Sequence, residues 1–454
     1  MILLTHGYFL NEDLKEQQIM KPYVPLGILY ISAYLEEKGI ENKVFDSTFS
    51  SFEELKTELV STKPPVVALY TNLMTKLNVL RIISFIRNEP ALKSTKIILG
   101  GPEIRHYSLQ YLKHGADLVV IGEGEETIFE VFSHFRQKGT FPLNCPGTAV
   151  LVDNQIKTNT ERALIKDINT LPFPNRKSVN LNLYLDTWKK YHGKSMVSVS
   201  TMRGCPYTCK WCSRAVYGGT YRRRSPSKVV EELLCLKKTY NPDAVWFVDD
   251  VFTISHKWLK EFVFEVKSRK AVIPYEIITR ADRLTDEVLN LLKESGCFRI
   301  WIGAESGSQK IIDAMDRRVD VEKVREMIIL SKKKGIEAGT FIMLGYPGET
   351  KDDIRETIRH LKVSQPDYYT ITLAYPIKGT PLYEQVASSI SGDNEFSKNT
   401  DRDLDFKRTY STDYYRHAIR WVHNEVNFNK STGIKKLGFK IKAEISQILM
   451  GLSK

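Results

Sequence analysis

The chain has 454 residues, too many for one ordinary domain, so two folded units and a smaller appendage are expected. Hydrophobic residues at 42% and charged residues at 26% exclude wholesale disorder. No uninterrupted apolar run approaches the roughly 18 residues of a spanning helix. Met1–Phe9 has no basic n-region and no long apolar stretch, so a cytoplasmic protein without a signal peptide is expected. Six cysteines are too few for a disulfide scaffold, and three of them fall within Cys205–Cys212. The net charge of +12 suits an anionic partner, but a solvated basic surface accounts for it more simply.

Residues 1–145 alternate short β-rich runs with helical patterns. Ile2–Thr5, Asn42–Phe45, Val66–Tyr70, Lys96–Leu99 and Leu118–Ile121 read as strands, with amphipathic stretches such as Leu26–Lys38 and Leu77–Arg87 between them. That alternation predicts an α/β doubly wound sheet with the flavodoxin-like order 2-1-3-4-5, whose crevice lies at the carboxyl ends of strands 1 and 3. Residues 146–194 read as a linker with a small hairpin around Asp153-Asn154, and Leu171-Pro172-Phe173-Pro174 as an extended connection.

From residue 195 to 389 the alternation resumes with a longer period. Predicted strands are Met196–Thr201, Ala244–Val248, Tyr275–Ile278, Phe298–Ile302, Gly339–Met343 and Tyr369–Leu373. Predicted helices are Val229–Lys238, Lys257–Ser268, Asp286–Glu294, Val321–Lys334 and Asp352–Leu361. Six β/α units of this kind suggest a partial barrel with its chemistry at the carboxyl ends of the strands. The tail, residues 390–454, ends in a helix over Ile434–Lys454 with Ile434, Leu437, Ile441, Ile445, Ile448 and Leu452 on one face. Lys435, Lys436, Lys440 and Lys442 lie largely off that face, so the helix suits either a membrane surface or packing on the barrel.

Cys205, Cys209 and Cys212 stand at C-x3-C-x2-C spacing directly after the first predicted barrel strand. Three thiolates can hold three irons of a [4Fe–4S] cube and leave the fourth open. Structural zinc normally needs a fourth protein ligand, and no second C-x2-C pair exists. Cys145, Cys235 and Cys297 are expected to be buried small apolar residues. Arg222–Arg224 read as mostly surface charge ahead of a helix starting at Ser225-Pro226.

The three-cysteine spacing is the signature of the radical S-adenosylmethionine (SAM) superfamily, and later segments resemble that family in order. Asp249-Asp250 follows the second barrel strand, where the family contacts the SAM amino group, and Arg280 ends the third. Glu305-Ser306 resembles the ribose-contacting segment, and Gly345-Tyr346-Pro347-Gly348-Glu349 the adenine-side glycine motif. In the N-terminal region Thr71-Asn72-Leu73 and Gly100-Gly101 resemble two of the three signals of cobalamin-binding domains. The third, a D-x-H-x-x-G segment, is absent, and His6 is read as a structural residue.

Residues from about 20 to about 385 therefore resemble the cobalamin-binding radical SAM enzymes. The resemblance implies a [4Fe–4S] cluster on the three cysteines, SAM at the open iron, and cobalamin in a state without a histidine ligand. It implies reductive cleavage of SAM to a 5′-deoxyadenosyl radical and methyl transfer to an unactivated carbon of a small-molecule, lipid or tetrapyrrole substrate. Radical ring formation or rearrangement is the alternative within the family, and a non-catalytic cluster- or cobalamin-sensing module the alternative outside it. Implied partners are an electron donor such as flavodoxin or ferredoxin, with peripheral membrane contact through the terminal helix and no nucleic acid.

Overall fold

The computed structural model describes residues 1–391 and 395–453. They pack as two compact units. One comprises Met1–Pro206, Ser213–Val245 and Glu395–Thr400; the other comprises Tyr207–Cys212, Trp246–Asn394 and Asp401–Lys454.

The first unit is built on a seven-stranded sheet. Its strands are β1 (Ile2–His6), β2 (Asn42–Val44), β3 (Val66–Tyr70), β4 (Lys96–Gly100), β5 (Leu118–Val120), β6 (Thr148–Val152) and β7 (Gln155–Thr158). The order is β2-β1-β3-β4-β5-β6-β7, parallel through β5 and antiparallel for the last two pairs. The central strands are buried on both faces, as a parallel sheet covered by helices requires, and so read as continuous apolar runs. Leu3, Val67, Leu69, Ile97 and Leu99 form one core with Val79, Ile82, Ile83 and Ile86 of the helix Lys76–Asn88. The predicted order 2-1-3-4-5 is present. The Asp153-Asn154 hairpin, with both φ angles positive at 49° and 62°, extends the sheet instead of standing in a linker.

Three features of this unit depart from expectation. The span expected to be linker contains a helix, Leu181–His192, which buries Leu181, Tyr184, Leu185 and Trp188. Arg222–Arg224 are not mostly surface charge. Arg224 is buried and pairs with Glu232, which also takes Arg176 Nη1 at 2.5 Å, and Arg222 reaches Glu123 at 2.7 Å. Cys235 is exposed, because its neighbours Leu233 and Leu236 occupy the inward face of their helix; Cys145 and Cys297 are buried as expected.

A six-stranded sheet adds β8 (Met196–Val199), β11 (Ala244–Phe247), β12 (Tyr275–Thr279), β13 (Cys297–Glu305), β14 (Glu337–Leu344) and β15 (Tyr368–Leu373), in the order β15-β14-β13-β12-β11-β8. Two short strands, β9 (Met202–Arg203) and β10 (Arg222–Arg223), pair antiparallel. The ladders β12–β13, β13–β14 and β14–β15 are parallel, so the residues just past these strands share one edge. In the second unit Phe247, Phe252, Phe262 and Tyr275 form an aromatic core with edge-to-face and tilted rings 4.8–6.2 Å apart. Two C-terminal helices close it. Thr412–Lys430 buries Tyr414, Tyr415, Ala418, Trp421, Val422 and Val426, and Gly433–Leu452 packs against it. Lys454 of the predicted terminal span lies outside the described residues. Among the described residues no helix is long and apolar enough to cross a membrane.

Candidate functional site

The cysteine loop is held by named contacts on each side. In the first unit, Arg203 of β9 precedes Cys205 by two residues. Its guanidinium gives Nη1 to Glu123 at 2.7 Å and Nη2 to Glu125 at 2.5 Å, and Glu123 also accepts from Arg222 and from Ile165 N. Burial opposes ionisation of Glu123, but Arg222 and Arg203 outweigh it and hold the carboxyl below its ordinary range. The Gly122-Glu123-Gly124-Glu125 turn is thus an ion-paired brace for the strand entering the loop. Gly204 comes next at φ 87°, where a Cβ would strike Thr220 O at 2.1 Å, so only glycine fits.

In the second unit, Tyr207–Cys212 is clamped along its length. Tyr207 lies under the Arg280 guanidinium at 3.8 Å, and its hydroxyl accepts from Arg283 Nε at 2.5 Å. Thr208 donates to Asp316 at 2.5 Å, Lys210 N to Met315 O, and Leu382 N to Lys210 O. Trp211 packs on the buried cluster of Ile311, Met315 and Tyr346. Cys209 is buried and Cys212 exposed, while Cys205, in the first unit, is half-buried. Two guanidiniums face the Cys209 sulfur, Arg317 Nη1 at 3.5 Å and Arg280 Nη1 at 3.9 Å.

Among the described residues no three His, Cys, Asp or Glu side chains are gathered closely enough to hold a metal ion, the three thiols included. Ligands on such a loop draw together around their metal. The donor set nonetheless fits an iron–sulfur cluster with one open iron: three thiols in eight residues, no fourth cysteine beside them, and two cationic donors at one sulfur suited to anionic ligands.

The other expected residues of this unit stand at strand ends. Asp249 is buried two residues after β11. Asp250 is exposed, yet desolvation and then the Asp249 charge hold its carboxyl above the ordinary value. Arg280 comes directly after β12 and is 1% exposed. Besides Cys209 it donates to Asp282 at 2.8 Å and to Arg317 O at 2.8 Å, so it serves the loop beside it. Glu305 ends β13 in a left-handed conformation, φ 66°, with its carboxyl buried and pushed up by that burial against the pull of Arg317 and Arg280. Ser306 hydrogen-bonds Thr357 at 3.2 Å and accepts from Ser308 N. Gly345 and Gly348 stand after β14 at φ 75° and 83°. A Cβ on Gly345 would strike Leu373 at 2.7 Å, whereas one on Gly348 would meet nothing within 4 Å. Arg317 carries no sequence signal for this site. It lies between Asp316 and Arg318, both at positive φ, and only its tertiary contact to Cys209 marks it.

In the first unit Thr71 and Gly100-Gly101 end β3 and β4 side by side, with Thr71 N donating to Gly100 O at 2.8 Å. Thr71 is fully buried and its hydroxyl pairs with Tyr111 at 3.1 Å; Leu73 is half-buried in the adjoining turn. Gly101, at φ 116°, sits so close to Thr71 O that a Cβ would overlap it at 2.2 Å. A Cβ on Gly100 would meet only Val120, at the ordinary contact distance of 3.9 Å, so a small side chain would be tolerated there. The close backbone approach of Gly101 to Thr71 is the feature that fits a ligand lying along the carboxyl edge of the sheet. His6 is spoken for, with Nε2 against Asp46 at 3.1 Å and Nδ1 accepting from Tyr8 N, so it is structural as expected.

Comparison with known proteins agrees with both halves. The radical SAM superfamily profile matches residues 199–361, and that of the B12 binding domain matches residues 19–132. An uncharacterized methyltransferase of Pyrococcus horikoshii is 26% identical over 368 residues, 79% of this chain and 78% of that one. The anaerobic magnesium-protoporphyrin IX monomethyl ester cyclase of Rubrivivax gelatinosus is 24% identical over 391 residues, 82% of this chain and 68% of that one. The structure of the radical SAM methyltransferase TsrM from Kitasatospora setae, with cobalamin and a [4Fe–4S] cluster bound, superposes with a TM-score of 0.73 at 14% identity, covering 99% of each chain. The chain thus carries a B12 binding domain ahead of a radical SAM superfamily domain, in the order the sequence led one to expect.

Proposed function

We propose that this enzyme transfers a methyl group to an unactivated carbon of a small-molecule, lipid or tetrapyrrole substrate. When bound, the cluster, SAM and cobalamin supply the radical and the methyl group; the chain's task is to hold them in register and exclude water. Cys205, Cys209 and Cys212 hold the cluster, with Arg280 and Arg317 fixing Cys209. Asp249 and Asp250 receive the SAM amino group, Glu305 and Ser306 its ribose, and Gly345 and Gly348 the adenine side. Thr71, Leu73, Gly100 and Gly101 shape the slot for the cobalamin tail. Flavodoxin or ferredoxin in the cytoplasm supplies the electrons.

The observation that carries the reading is the pair of buried guanidiniums on Cys209 beside strand ends bearing the SAM-like residues. The names of the two methyltransferase relatives support methyl transfer; the Rubrivivax gelatinosus cyclase keeps ring formation as the second reading. Anaerobic reconstitution with iron, sulfide and cobalamin, then product mass analysis, separates them. Gain of one methyl supports the first reading, and loss of hydrogens the second. No 5′-deoxyadenosine with any candidate substrate would leave a non-catalytic sensing module.

A further inference from the structure

Amphipathic helices of globular proteins turn their apolar stripe inward. The helix Gly433–Leu452 does the reverse. The side chains it buries are Ala443, Ser446 and Met450, toward the helix Thr412–Lys430, where Asn424 reaches Ser446 at 3.5 Å. Ile434, Leu437, Ile441, Ile445, Ile448 and Leu452 are left 48–90% exposed. At 100° per residue these six occupy an arc of about 80°, and at 1.5 Å per residue the row runs about 27 Å. It is a straight apolar ridge, opposite the packed face and without a groove.

The charges beside the ridge decide its occupant. Lys440 and Lys442 stand about 100° from its centre on either side and Lys435 about 120°, while Lys436 turns to the Phe428 ring at 5.0 Å; the helix carries one acid, Glu444. A second copy of the chain would set two such basic helices face to face, which their repulsion opposes. A flat surface of apolar chains beneath negative headgroups matches both the ridge and its flanks. We propose that this helix docks the enzyme on an anionic bilayer, with the isoleucine and leucine row in the acyl boundary and Lys435, Lys440 and Lys442 among the lipid phosphates. The proposal is independent of the reaction assigned above and concerns only where the enzyme works.

The test is co-sedimentation of the full-length protein with vesicles of phosphatidylglycerol or of phosphatidylcholine. Wild type should bind phosphatidylglycerol vesicles, more weakly as salt is raised, and phosphatidylcholine at least about tenfold less. Ile448→Asp with Leu452→Asp should abolish binding without lowering the melting temperature, because both side chains are already mostly in water, 63% and 80% exposed. Replacing Lys435, Lys440 and Lys442 by glutamine should remove the preference for anionic lipid, with roughly fivefold lost per lysine. Equal sedimentation of wild type and the double aspartate variant would overturn the proposal. So would a solution mass twice that of the chain that falls to one chain in the same variant, since the ridge would then be a dimer contact.

Discussion

Replacing Arg317 by methionine keeps the volume of a buried side chain but removes a cation 3.5 Å from the Cys209 sulfur. Two unit charges at that distance in an effective dielectric near 20 interact by roughly 5 kcal/mol. The electron that reduces a [4Fe–4S] cluster is shared over four irons, one of them on Cys209, so about a quarter of this, near 1.2 kcal/mol, is the expected Coulombic share. That lies just below the net worth of a hydrogen bond to a charged group, about 1.5–3 kcal/mol. At 59 mV per tenfold change for a one-electron couple, the midpoint potential of the reconstituted cluster should fall by about 50–130 mV. Arg317→Lys, which keeps the charge, should recover most of the difference. The assay is an anaerobic redox titration read by electron paramagnetic resonance, with iron and sulfide content measured on the same samples. An unchanged midpoint in a fully loaded Arg317→Met variant would refute the assignment of this residue to the cluster.

Glu232→Gln leaves Arg176 and Arg224 buried without their shared counter-ion. It should cost about 3–5 kcal/mol, seen by calorimetry as a fall of roughly 6–20 °C in the melting of the first unit. Although burial opposes its ionisation, the two arginines hold Glu232 below the ordinary range. Its contribution is therefore present above the unfolded value and lost as pH falls through the folded one, and the variant should lose that acid sensitivity. Glu349 titrates the other way. Burial pushes its carboxyl up to about 8, against the pull of Gly345 N, which donates to it at 2.6 Å. The folded state therefore keeps a proton that the unfolded chain has lost, and stability should fall as pH rises from the ordinary glutamate value through about 8. Urea unfolding across that window should show the slope in wild type and a flat line in Glu349→Gln; a slope that survives the substitution would place its origin elsewhere.

The residues that end strands are legible because a buried parallel strand writes itself as an apolar run, and the positions just past such a run stand at the working edge. That pattern puts Thr71, Gly100, Arg280, Glu305 and Gly345 at strand ends, and the family resemblance singles them out there. The hidden part depends on contacts between distant segments. Arg317 and Cys209 are 108 positions apart, and Arg203 finds Glu123 and Glu125 across about eighty residues, so neither pairing leaves a local trace. For the same reason Arg222–Arg224 read as surface. Leu181–His192 does carry a local signal, with apolar residues at i, i+3, i+4 and i+7, but the prolines at 172 and 174 point to an extended chain and mask it. For Gly433–Leu452 the period is plain, but not the direction in which the stripe faces, since that depends on which neighbour the helix meets.

The division of the chain among its two units has a consequence for how the protein is made. The first unit takes Ser213–Val245 and then Glu395–Thr400 from far downstream, where Phe396 meets Tyr111 edge-to-face and Tyr107 and His114 at a tilt. Synthesis in chain order delivers the seven-stranded sheet well before Phe396, which arrives 238 residues after Thr158, the end of the hairpin that completes the sheet. The Tyr111 ring waits without this aromatic partner during that interval. Synthesis therefore has a built-in order: a sheet first, a cysteine loop next, and a late aromatic seal that cannot precede either.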